Sequence, residues 1–227
     1  MTMSRRQGDR WALSGALFVA FFIASLVLGG MLASGPLHLS VAHPAEVVNY
    51  FTDNQTAALA WSLCLILSAV SLFVFVAPVA TFVRRIAGER RAMVWLTSAG
   101  GTLAAVLLLA SALFGLMLAL PAGAVGLDLV DTLRDLIFLS GGTLHVASLG
   151  LFIGATSIAA ARANALPRWI LWLGIVASVL ATGSLASLIL YPASILIPLG
   201  RLLSLVWIIA TSLVLAFGKQ RKSGARV

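Results

Sequence analysis

The residues able to do chemistry are few and fall in three places. Asp128, Asp131 and Asp135 have the spacing DxxDxxxD, which sets three carboxylates on one helical face. That is the geometry needed to hold Mg²⁺ against a diphosphate through oxygen ligands. Arg134 stands among them. A second group, Glu46, Asn49, Tyr50 and Asp53, lies in the phrase PAEVVNYFTDNQ. If that segment folds over the mouth of a bundle, it offers a lid bearing an acid or a base. The third place is a pair of isolated polar residues in apolar runs, His145 and Arg201. Histidine titrates near physiological pH and can carry a proton. A guanidinium inside a membrane costs at least about 2.5 kcal/mol, so it pairs, snorkels to the headgroups or lines a polar cavity. In the last case Arg201 would be a pocket floor that binds a carboxylate or a phosphate. Arg134, Phe138, Gly141, His145, Phe152 and Thr156 fall close to one line on an ideal α-helix.

Each sharp reading has a plainer rival. A lone histidine among apolar residues serves more often as a hydrogen-bonding residue between helices. Haem would want a second axial histidine at the same depth, and His38 and His43 fall in a connecting segment. The aspartates read by default as a solvated, acidic helix start, favourable to the helix dipole. Their spacing resembles the first aspartate motif of the membrane prenyltransferases that make quinones. Leu127 stands where that family has a polar partner, and the seven acidic residues of the chain leave no second motif. No metal or cofactor is expected, Mg²⁺ included. The single cysteine, Cys64, excludes an internal disulfide, a cysteine-based zinc site and an iron–sulfur cluster.

The elements that must position these residues are membrane helices. Of 227 residues, 61% are hydrophobic and 10% charged, where a soluble domain carries about a quarter charged. At roughly 20 apolar residues per crossing, the chain has room for six spans and no separate soluble domain. They are expected at 11–33, 57–83, 92–120, 136–161, 168–190 and 194–217. Between the first two, Pro44 suits the first position of a short interfacial helix, with Glu46 in its opening turn and Val47, Val48 and Phe51 as its apolar face. Thr52 and Gln55 have capping-box spacing, which favours a new helix near Asp53. Gly100-Gly101 lets another backbone come close to span three, and Gly150 and Gly154 face away from His145 as a helix-packing pair.

The net charge of +8 is not a nucleic-acid signal, because the bases stand at helix ends. With six crossings, Arg5, Arg6, Arg10, Arg84, Arg85, Arg90, Arg91, Arg162, Arg168, Lys219, Arg221, Lys222 and Arg226 share one side. Glu46, Asp53, Asp128, Asp131 and Asp135 take the other, with Arg134. The positive-inside rule then puts both termini in the cytoplasm, in the cytoplasmic membrane of a bacterium. Arg-Trp or a basic residue near Trp opens spans one, three and five, as a membrane interface requires.

PAEVVNYFTDNQ, the basic second loop and LPRWILWLGIVASVL together resemble the small bacterial membrane proteins of the domain of unknown function 4386 type. That resemblance implies a compact six-helix bundle and brings no reaction with it. The sequence therefore supports an all-α, multi-pass membrane bundle whose working region is a polar pocket in the outer half. His145, Arg201, Arg134, Tyr50, Asp53, Asp128 and Asp131 are its candidate lining. Two functions fit. One is holding a lipid or small amphiphile, with membrane lipids as partners and no oligomeric state implied. The other is acid-initiated chemistry on a lipid or isoprenoid, of the terpene-cyclase kind, with Glu46 or Asp135 as the proton donor and His145 in proton transfer. No Asp or Glu falls inside a span, which disfavours an ion-coupled pump.

Overall fold

Six helices are long and apolar enough to cross a membrane: Arg10–Leu32, Gln55–Ile86, Arg91–Ala119, Asp128–Arg162, Arg168–Leu188 and Pro192–Phe217. They overlap the six expected spans, with ends displaced by at most three residues except in the fourth, which begins eight residues earlier than 136. The computed structural model describes residues 9–35, 44–88, 90–119 and 127–218, and all regular structure among them is helical. We label the elements α1 (Ser14–Leu32, entered through a 3₁₀ turn), α2 (Pro44–Asp53), α3 (Gln55–Ile86), α4 (Arg91–Ala119), α5 (Leu127–Ile137), α6 (His145–Arg162), α7 (Arg168–Gly183) and α8 (Leu196–Phe217). A π-helical segment, Phe138–Leu144, joins α5 to α6 without a break. His38, His43 and the basic residues of both termini beyond 9 and 218 lie outside the described residues.

Helix ends follow from local chemistry. Asp9 accepts the Trp11 amide at 3.1 Å and starts the first helix. Gly88 (φ 58°) and Asn164 (φ 48°) take the left-handed conformation that reverses the chain after α3 and α6. Trp11, Trp95 and Trp169 point outward near the starts of α1, α4 and α7, as an interfacial aromatic belt does. One expectation fails at the start of α3. Thr52 donates instead to the Val48 carbonyl of its own helix at 2.8 Å, so the capping box does not form. Asn54 holds the junction, accepting the Ser34 amide at 2.7 Å and donating to the Tyr50 carbonyl at 3.0 Å.

The spanning helices pack in a ring, α1–α3–α4–α6–α7–α8, which α8 closes against α1. The helix α6 is the most enclosed: from His145 to Ala160 only Leu151 and Ile158 face outward. The core is centred on Phe75, Phe152 and Trp207, packed edge to face with centroids 6.1 Å apart in each pair. Helix α2 buries Val47 and Phe51 against Ala58, Leu118, Val130 and Leu133, so α2 and α5 pack together over the acidic end of α3 and α4.

Small residues set the closest approaches. A β-carbon on Gly100 would stand 2.8 Å from the Phe152 amide nitrogen, so α4 and α6 touch backbone to backbone there. Gly150 meets α7 in the same way, 2.8 Å from the Thr182 nitrogen, and Ser178 donates to the Gly150 carbonyl at 2.8 Å. Both glycine pairs thus do the packing expected of them.

Candidate functional site

The π-helical segment carries the sequence SGG at residues 140–142, where missing β-carbons let the helix widen. The His145 amide reaches the carbonyls of Ser140 and Gly142 and passes over Gly141, its ordinary partner four residues back. The Gly141 carbonyl accepts from Arg201 Nη2 instead. Arg201 Cζ also lies 5.3 Å from the centroid of Phe22 on α1. Its guanidinium therefore points into the bundle and does not snorkel. No carboxylate among the described residues pairs with it, and its Nε is buried without a partner. A charge-assisted hydrogen bond contributes about 1.5–3 kcal/mol, and a cation over a ring adds about 0.5–2 kcal/mol. Together these only offset the cost of a guanidinium at membrane depth. The contact therefore fixes how α1, the π segment and α8 meet more than it adds stability.

His145 is fully buried at the first residue of α6, directly after the π segment that Arg201 holds. Its Nδ1 lies 2.8 Å from the Ala104 carbonyl of α4. A carbonyl only accepts, so Nδ1 carries the proton. Nε2 is buried with no partner. Two serines further along α8 add nothing to the Arg201 contact: Ser204 donates to the Gly200 carbonyl and Ser212 to that of Ala12. His145 and Arg201 thus make separate closed contacts, His145 to the Ala104 carbonyl of α4 and Arg201 to the Gly141 carbonyl of the π segment.

The π segment also overturns the alignment with Arg134. It adds about one residue to the turn, and one residue is roughly 100° of rotation. His145, Phe152 and Thr156 stay in register on α6 and are all buried, whereas Arg134 faces the acidic surface. There Arg134 Nη2 lies 2.6 Å from Asp131 Oδ1 and 2.9 Å from Asp135 Oδ1. This single guanidinium engages two of the three aspartates, while Asp128 is exposed. Among the described residues no group of three metal-ligating side chains could hold an ion.

A cavity lies elsewhere among the described residues, between the acidic-end half of α1, helix α2 and the first turns of α3. Its volume is about 470 Å³, within the usual range of small-molecule sites. Leu26, Gly29, Gly30, Phe51, Ala58 and Trp61 supply its apolar wall, and Tyr50 its polar group. Burial pushes the Tyr50 phenol above its ordinary value, so it stays a neutral hydrogen-bonding group. The roof is held in place by Asn54, as above, and by Gln55 Nε2, which donates to the Ala119 carbonyl at 2.9 Å. A β-carbon on Gly30 would meet nothing within 4 Å.

Of the expected lining, only Tyr50 reaches this cavity. Neither His145 nor Arg201 lines it. Glu46, Asn49 and Asp53 are exposed on α2. Sequence reasoning missed Trp61 and the Gly29-Gly30 pair, although an aromatic one side of a groove and two adjacent glycines on the other is a legible sign of space between helices. It also missed Phe22 and Ala104, whose roles depend on helix pairing. No family model matches the chain, and neither the curated proteins nor the solved structures give a match.

Proposed function

We propose that this membrane protein binds a lipid or small amphiphile in the cavity between α1, α2 and α3. The observation that carries the reading is the apolar, half-open chamber with a single phenol at its rim. A chain buried there gains about 0.8 kcal/mol per CH₂, and Tyr50 can hold a polar end. The enzymatic alternative asks for a carboxyl against the apolar wall. Glu46 is exposed on α2, and Asp135 is 70% exposed and paired with Arg134. No carboxylate belongs to the described lining, so binding is preferred over acid-initiated chemistry.

The test is native mass spectrometry of the protein purified in mild detergent. The wild type should retain a delipidation-resistant adduct. Gly30→Leu adds a side chain at the chamber wall, where its β-carbon meets nothing within 4 Å, and gains helix propensity of about 0.8 kcal/mol, so it should fold and lose the adduct at least about tenfold. An adduct retained equally by the Gly30→Leu protein would end this reading. Val106→Leu, on the outward surface of α4, is the matched control.

The proposal extends to placement. Positive-inside reasoning supports a bacterial cytoplasmic membrane with both termini inside. Reporter fusions after Arg90 and Lys222 should then read cytoplasmic, and those within 44–54 or 123–133 external. An external signal at Arg90 would invert the orientation and put the cavity in the inner leaflet. A place among the proteins of the domain of unknown function 4386 type belongs to the same reading, supported by the LPRW phrase and its neighbours.

A further inference from the structure

A second chamber lies at the basic end, about 37 Å along α3 from Trp61 at 1.5 Å per residue. It occupies about 380 Å³ between the end of α3, the first turn of α4 and the end of α6. Ile86, Ala87, Met93 and Ala159 form its apolar part, and Arg90 and Arg162 stand at it from two different connections. Both arginines are exposed, and neither has an acidic partner among the described residues. Arg84, Arg85, Arg91 and Arg168 surround them on the same end. The one described acid there, Asp9, is committed to the Trp11 amide. Two guanidiniums over an apolar wall, at the level where helices leave a membrane, match a phosphate that carries acyl chains. Arginine holds phosphate by paired parallel hydrogen bonds. Basic pockets between membrane helices take anionic headgroups for this reason.

We propose that this chamber seats the phosphate of an anionic phospholipid from the adjoining leaflet, with Arg90 and Arg162 on the headgroup and Ile86 and Met93 along the chain. The site is independent of the α1–α3 cavity and of what that cavity holds.

The full-length protein in mixed micelles of phosphatidylglycerol and phosphatidylcholine, read by native mass spectrometry, tests it. Wild-type protein should carry phosphatidylglycerol preferentially. Arg90→Gln with Arg162→Gln should reduce that preference at least about tenfold. Arg84→Gln with Arg85→Gln removes the same charge outside the chamber and should leave most of it. Equal loss in both pairs would mean a diffuse basic surface and would overturn the site. Should the first pair fail to fold, Arg90→Lys with Arg162→Lys keeps the charge and loses the paired geometry, and an unchanged preference there also overturns it. Inorganic phosphate should not displace the lipid at millimolar concentration; displacement would make the ligand a soluble phosphate and sink the lipid assignment.

Discussion

Gly100→Val is expected to destabilise the protein by at least about 3 kcal/mol, the upper range for overpacking a tight interior. The first added carbon would lie 2.8 Å from the Phe152 nitrogen and 3.2 Å from the Ser148 carbonyl oxygen. These are backbone atoms of α6, and α6 is held in turn by α7 through Gly150. No side chain can rotate away, so the α4–α6 crossing must open. That crossing is continuous: Thr97 and Thr156 hydroxyls stand 3.5 Å apart, Gly100 meets Phe152, and one turn on Ala104 receives His145. Opening it at Gly100 should therefore loosen the His145 contact as well. Thermal unfolding in detergent, followed by near-ultraviolet circular dichroism, should show a midpoint lower by about 6–12 °C. A fall of less than about 2 °C would mean that the helices are not in backbone contact. Gly30→Leu, a larger substitution where nothing stands within 4 Å, should leave the midpoint within a few degrees.

The contrast between these glycines shows what the sequence could carry. Span number and limits were legible because apolar runs of bilayer length have few alternatives. Gly100-Gly101 and Gly150–Gly154 were legible as contact points, since small residues at helical spacing have one common use in membranes. The π segment was not. Residues 140–142 permit a widened turn without requiring it, and the Arg201 donor that takes the skipped carbonyl comes from a helix 60 residues on. Reading the stretch as ideal α-helix put Arg134 and His145 on one line, and the extra residue separates them. The capping box failed for a local reason: Thr52 is still inside α2, where its hydroxyl finds the Val48 carbonyl first. Isolated polar residues suggest a pocket around His145 and Arg201, yet both side chains close against backbone carbonyls. The cavity forms instead where Gly29 on α1 meets Trp61 across a helix pair and Gly30 beside it leaves open space, an arrangement set by pairing order that periodicity does not encode.

His145 gives the second large effect. Its ring is fully buried between α4 and α6, and Nδ1 donates to the Ala104 carbonyl at 2.8 Å. His145→Ala removes the bond and leaves a void, at about 2–5 kcal/mol by analogy with other large-to-small changes in cores. His145→Asn places an amide nitrogen where Nδ1 now sits, so it keeps the donor and should cost no more than about 1.5 kcal/mol. His145→Gln puts its donor at the Nε2 position, on the side that has no partner, and should behave more like the alanine variant. The expected order of stability is wild type, Asn, Gln, Ala, measured by thermal midpoint in one detergent. The His145→Asn protein also distinguishes a helix clamp from a proton carrier, because a carboxamide keeps the bond and cannot titrate in that range. If it retains the adduct of the α1–α3 cavity and the gene's phenotype, His145 acts by holding α4 to α6. If it folds with a normal midpoint yet loses the phenotype, Nε2 does chemistry, and a histidine contact made only for packing is the wrong account.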